Sequence, residues 1–137
     1  MTPQQIALIE QSYEKLSKFG DELGELFYDE LFAIDGSLRD LFDGDMRRQY
    51  MKLLMTLALI VRSLHAPDAL QQIVRNLGVK HVGYGVRPEH YTPFGNAFLR
   101  MLKKTLGPDY TPELSDAWTA ALRTLTKIMK DVAVTAG

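Results

Sequence analysis

A single all-α domain is the fold this sequence predicts, and three observations carry that reading. Apolar residues recur at steps of three and four through nearly every segment. Helix-starting residues (Thr2, Asp45, Pro67, Thr111) stand ahead of those runs, and glycines stand behind several of them. No segment alternates apolar with polar residues as a half-buried strand would. At 137 residues, with 46% hydrophobic and 24% charged side chains, the chain can bury one proper core and is too short for two ordinary domains, so one domain over 1–137 is expected.

Ile6, Ile9, Tyr13 and Leu16 mark a first helix, behind Thr2 as cap, Pro3 in the first turn and Gln5 completing a capping box; it is expected to end near Gly20. A second, from about 21 to 34, carries Gly24, Phe27, Tyr28 and Leu31 on one side and is closed by Gly36. The segment SLRDLF makes a short helical turn ending at Phe42. The next helix, from about 45 to 64, buries Met46, Leu53, Leu57, Ile60, Val61 and Leu64. Pro67 opens another whose inward side is Leu70, Ile73 and Leu77, before Gly78, Gly83 and Gly85 loosen the chain. Pro88 starts a helix with Phe94, Phe98, Met101 and Leu102, in which Pro93 is tolerated near the first turn, and Gly107 and Pro108 end it. Thr111 caps the last, with Leu114, Trp118, Ala121, Leu122, Leu125 and Met129 on its stripe. About seven helical pieces result. They leave no obvious exposed apolar stripe, so a monomer or weak homodimer is expected.

Composition removes several function classes. Lys plus Arg is 16 against Asp plus Glu 17, a net charge of -1 with no like-charged block, which argues against nucleic acid or an anionic membrane as the main partner. The absence of cysteine excludes disulfides, thiolate metal sites and nucleophilic thiols. MTPQQIALIEQ lacks the basic-then-apolar order of a signal peptide, and LLMTLALIV at 53–61 is far shorter than the roughly 20 residues of a membrane span. A soluble, cytoplasmic protein is expected.

The segment LGVKHVGYGVRPEHY, at 77–91, holds two of the three histidines. Leu70, Ile73, Leu77 and His81 step by three, four and four, so the imidazole continues the apolar stripe and points inward if the helix survives Gly78. Such a histidine is either a core residue bonded to a nearby carbonyl or a ligand. Tyr28 and Gln49 add polar tips to apolar stripes, with Phe42 at a corner between them. They either bond each other or a carbonyl, or await another partner, because an unpaired buried hydroxyl or amide costs a few kcal/mol. His65 is expected to cap the carboxyl end of its helix, and His90 to lie at the surface or to face a bound group.

Taken together, LFYDELF with Tyr28, LRDLFDGDM with Phe42, QYMKLLM with Gln49, Lys52 and Leu53, LGVKHVGYGVRPEHY with His81, Val86 and Tyr91, and AWTAAL around Trp118 make the chain resemble the bacterial single-domain haemoglobins and the globin domain of flavohaemoglobins. The resemblance runs over roughly the whole chain. It implies the globin three-over-three helical sandwich, with haem b (protoporphyrin IX iron) in a cleft. By that resemblance His81 is the proximal iron ligand, Phe42 stacks on the porphyrin and Leu53 lies over the distal face. Tyr28 and Gln49 form the distal polar pair, Tyr91 hydrogen-bonds near the proximal imidazole, and Val86, Lys52 and Arg87 border the cofactor, the two cations near its propionates. Lys52 has a second possible place, at the sixth iron position. Tyr50 stands where relatives often carry a small residue and is expected to pack between helices. Asp131 is the one carboxylate late in the last helix, where flavohaemoglobin domains carry a Glu, so the proximal network is expected to be incomplete.

Three functions follow as expectations. The first is reversible binding of dioxygen and other diatomic gases, carbon monoxide among them, for storage, transport or scavenging. The second is an enzyme, nitric oxide dioxygenase, whose turnover needs a separate reductase because the sequence reaches Gly137 without a flavin or nicotinamide domain. The third is a haem-free signalling module of globin shape.

Overall fold

A computed structural model of the chain describes residues 1–42 and 44–136; Asp43, within the segment LRDLFDGDM, and Gly137 lie outside the described residues. Among those described are six α-helices: α1 (Pro3–Ser17), α2 (Asp21–Ile34), α3 (Met46–Arg62), α4 (Pro67–Gly83), α5 (Tyr91–Leu106) and α6 (Pro112–Ala136). Tight 3-10 turns occupy Gly36–Leu41, Pro88–His90 and Gly107–Asp109, and no strand is present among the described residues. The capping box of α1 forms as expected, with Thr2 Oγ1 accepting from the Gln5 amide and Gln5 Oε1 from the Thr2 amide. Thr111 likewise accepts from the Leu114 amide at 3.2 Å.

α2, α5 and α6 form one layer and α1, α3 and α4 the other, giving the three-over-three sandwich; the broadest packings are α2 on α5 and α4 on α6. Between the layers lie Ile9, Leu16, Leu23, Leu31, Met101 and Leu102, all nearly free of solvent. Trp118 fits among them because its indole has a partner: Nε1 donates to Ser12 Oγ at 2.9 Å, and the Ser12 hydroxyl donates to the Ile9 carbonyl. Glu30 is also buried, and α5 supplies its counter-charges, Lys104 in direct contact and Arg100 at 3.7 Å.

The structure departs from the sequence reading at four places. α1 stops at Ser17, and the turn that follows uses Gly20 at φ 57 to enter α2. Gly78 does not loosen α4. The helix runs through to Gly83 because the absent side chain lets α6 approach, and a Cβ at Gly78 would stand 3.2 Å from Val132 Cβ. Pro88 starts a 3-10 turn, with α5 beginning only at Tyr91, so Pro93 falls on the third helical residue, where its missing N–H removes no bond. Finally, Met51, Met55 and Leu59 form an apolar ridge of α3 left in solvent, 55%, 69% and 40% exposed, against the expectation that none would remain.

Candidate functional site

α4 carries two ridges with different fates. Leu70, Val74 and Gly78, four residues apart, are buried; Gly78 lies against α6. Ile73, Leu77 and His81 make a neighbouring ridge that is only half-buried. α3 repeats the pattern. Leu57 and Val61 are buried, whereas Gln49, Leu53 and Ile60 stay half-buried on an adjoining strip of the helix. α3 and α4 touch only sparsely, so each keeps an apolar strip that no protein element covers fully.

His81 survives on its strip with one ring nitrogen committed. Nδ1 lies 2.7 Å from the Leu77 carbonyl oxygen, which can only accept, so Nδ1 carries the proton and donates. Nε2 then holds the lone pair, and no bond to it exists among the described residues. Burial depresses the imidazole's pKa below its ordinary value, opposed in part by that backbone bond, so the ring favours the neutral form that can ligate a metal. Tyr91 is buried beside it, ring centres 6.4 Å apart. The hydroxyl of Tyr91 has no hydrogen-bond partner among the described residues. The hydrogen bond expected of Tyr91 near the imidazole thus has no partner there, and Nδ1 of the ring is taken by Leu77. Asp131 is exposed.

Across the site Tyr28 is 7% exposed and sits among Phe27, Phe32, Phe42 and Tyr50, with the Phe42 ring edge-on at 5.1 Å and the Tyr50 ring at 5.8 Å. Burial, with the Tyr50 hydroxyl adding to it, pushes the Tyr28 phenol up to about 12. It is a donor at any physiological pH. Neither Tyr28 nor Gln49 makes a side-chain hydrogen bond among the described residues, so the option that they satisfy each other is not realised. Tyr50 packs over α2, as expected for an interhelical residue: a Cβ on Gly24 would lie 2.7 Å from Tyr50 Cβ, so Gly24 permits this crossing.

The remaining candidates are placed as follows. Leu53 and Phe42 are half-buried and Val86 is buried. Lys52 is exposed, with Nζ 5.7 Å from the centre of the Tyr84 ring. Arg87 is exposed and 3.9 Å from Glu89. His90 accepts from the Arg87 amide through Nδ1 and caps its 3-10 turn, while His65 does not cap its own helix but pairs with Glu10 of α1 at 3.0 Å. Sequence reasoning missed Tyr84, whose ring lies 6.0 Å from that of His81, because its position beyond Gly83 reads as loop. Two shallow hollows, of about 370 and 360 Å³, lie elsewhere and are lined by none of the candidate residues.

These groups fit haem better than a bare ion. Among the described residues no cluster of three or more His, Asp or Glu could hold a metal ion. A lone neutral imidazole one turn from half-covered Leu77, in a molecule that also leaves Phe42, Leu53 and Phe94 half-covered, suits a metal that arrives with its own flat apolar ligand.

Comparison with known proteins agrees. The Globin family model matches residues 25–129. The flavohaemoprotein of Bordetella pertussis is 31% identical over 132 residues, covering 94% of this chain and 33% of that protein, and the flavohaemoprotein of Deinococcus radiodurans is 32% identical with the same coverage. The chain thus spans about a third of the length of these curated relatives. Among solved structures, a bacterial globin of Campylobacter jejuni shares the fold (TM-score 0.85, 24% identity, 98% of both chains). An engineered carbene transferase from Rhodothermus marinus, provisionally named a nitric oxide dioxygenase, has TM-score 0.88 at 28% identity over 99% of this chain and 95% of its own. The chain belongs to the globin family.

Proposed function

We propose that this globin holds haem b through His81 Nε2 and binds dioxygen reversibly on the opposite side, beside Tyr28 and Gln49. Haem, when bound, would supply an iron able to take a diatomic gas such as dioxygen, carbon monoxide or nitric oxide. The chain's residues do the rest. Leu77 fixes the tautomer and orientation of His81. Phe42, Leu53 and Val86 offer apolar surface to the porphyrin, Tyr91 packs beside the proximal ring, and Lys52 and Arg87 stand exposed for the propionates. Tyr28 offers a phenolic proton, and Gln49 an amide, to a guest that draws negative charge. The observation that carries this reading is Tyr28, its ring held among other aromatic rings and its hydroxyl without a hydrogen bond among the described residues.

The test is the absorbance of the purified protein: an intense Soret band that shifts reversibly as dioxygen is removed and readmitted. A colourless protein that takes up no added haem rejects the proposal and favours the haem-free module. The flavohaemoprotein relatives and the Rhodothermus marinus protein favour a second reading, nitric oxide dioxygenation with electrons from a reductase. Steady-state nitric oxide consumption with reductase supplied supports it, and consumption that stops at one turnover per haem leaves the binding role. Among the described residues no helix is long and apolar enough to cross a membrane, which suits work in the cytoplasm.

A further inference from the structure

α3 has the largest positive charge of the six helices. Its sequence, MRRQYMKLLMTLALIVR, contains Arg47, Arg48, Lys52 and Arg62 and no acidic residue, in a chain whose net charge is -1. α5 also lacks acids, yet two of its cations are engaged by the buried Glu30. Those of α3 make no ion pair among the described residues. Arg47 and Arg48 moreover occupy the first turn, next to the positive end of the helix dipole, where cations are unfavourable. Asp45 caps that end through the Arg47 amide, yet neither arginine side chain pairs with it among the described residues.

The cations surround the ridge of Met51, Met55 and Leu59. At 3.6 residues per turn, all seven side chains fall within about 140° of the helix surface, over a length of roughly 22 Å. An adaptable, methionine-rich apolar centre with an arginine and lysine rim has the anatomy of a protein-binding face. One edge of it meets the site already described. Lys52 Nζ lies 5.7 Å from the Tyr84 ring centre; Tyr84 is 56% exposed, and its ring is 6.0 Å from that of His81.

We propose that the outer face of α3, together with Tyr84, docks an acidic electron-transfer protein that delivers electrons to the site at His81. Charge complementarity selects the partner: four cations with no ion pair among the described residues, on an otherwise slightly acidic molecule, steer a negatively charged surface to this face, and the apolar ridge holds it there. One electron would leave the partner's reduced flavin or iron–sulfur centre for a haem that His81 would hold, with no bond made or broken. The proposal rests on the reading that haem sits at His81, and it names the chemistry of the reductase that the second reading requires.

The test is a titration of the isotope-labelled, haem-loaded protein with oxidised plant-type two-iron ferredoxin, a small acidic carrier, followed by amide chemical shifts. The expected shifts concentrate in residues 47–62 and around Tyr84, and affinity falls at least tenfold between low and physiological salt. Arg47→Glu with Arg48→Glu weakens binding by tenfold or more, and Met55→Ser weakens it several-fold. Reduction by photoreduced ferredoxin slows in parallel, while the dioxygen dissociation rate of these variants is unchanged. Shifts centred elsewhere, no saturable shift, or indifference to the two arginine reversals overturns the proposal. So does binding of phosphatidylglycerol vesicles through the same residues without ferredoxin binding, or a dimer that buries Met55. Reversible gas binding without ferredoxin contact sinks only the docking face. A colourless protein sinks the haem reading, and the shift map remains measurable on it.

Discussion

The two sides of the candidate site are built on different principles. On the α4 side the key side chain is already oriented: the His81 Nδ1 proton is held by the Leu77 carbonyl 2.7 Å away, one turn back on its own helix. On the α2–α3 side the polar groups are oriented by packing alone, Tyr28 by a cage of aromatic rings and Gln49 by its place on α3. The first side resembles a metal site with its outer shell in place. The second resembles a binding pocket whose hydrogen bonds remain to be made. Each side also has a glycine at its helix crossing. The α2–α3 crossing is the tighter, with a Cβ on Gly24 falling 2.9 Å from the Tyr50 backbone, against 3.2 Å from a side-chain atom of Val132 for Gly78.

The largest effect should come from that last contrast. Gly24→Ala forces apart α2 and α3 at a backbone contact and is expected to cost about 1–3 kcal/mol in chemical denaturation, whereas Gly78→Ala gains helix propensity against a milder contact and should lie within about 1 kcal/mol of the parent. Next is Tyr28→Phe, which removes the distal donor. The dioxygen dissociation rate should rise about tenfold or more, since a hydrogen bond to a polarised acceptor contributes about 1.5–3 kcal/mol; an unchanged rate would mean that the aromatic cage, not the hydroxyl, governs the guest. Tyr91→Phe makes the opposite case. Its hydroxyl is buried without a partner among the described residues, so deleting it should leave stability equal or higher by up to about 1 kcal/mol and leave the visible spectrum unaltered.

The smallest effect appears only in alkali. Burial pushes both Tyr28 and Tyr91 up to about 12, above their ordinary value of 10.0. Between those values the unfolded chain has lost protons that the folded chain keeps, so the stability from these phenols is whole below pH 10 and declines as pH rises toward about 12. A tyrosinate titration should show the two ionising late. Phe at both positions should remove that late step and soften the alkaline loss of stability.

Much of the architecture was legible because helices advertise themselves locally. Thr2 with Gln5, Pro67 and Thr111 are start signals whose physics is confined to one turn, and α2 was bounded at 21–34 by Gly20 and Gly36. What escaped the sequence depended on neighbours remote in the chain. Gly78 reads as a weak point until α6 is laid against it, and Val74 is fully buried although the stripe chosen ran through Ile73. The exposed Met51, Met55 and Leu59 look like core in a helix rich in apolar residues, and only the packing of α3 shows which face is left out. In the site, the spacing from Leu70 to His81 was informative because helical geometry converts it to direction. Tyr84 and the unpaired Tyr91 hydroxyl were not, since nothing in a sequence says which buried hydroxyl finds a partner.

The measurement that bears most directly on the central claim is pigment retention by His81→Gly. Purified beside the parent and without added base, the variant should lose its haem or carry it with a shifted, weak-ligand spectrum that added imidazole restores. An unaltered Soret band, with haem held at full stoichiometry, would contradict His81 as the residue that holds the iron.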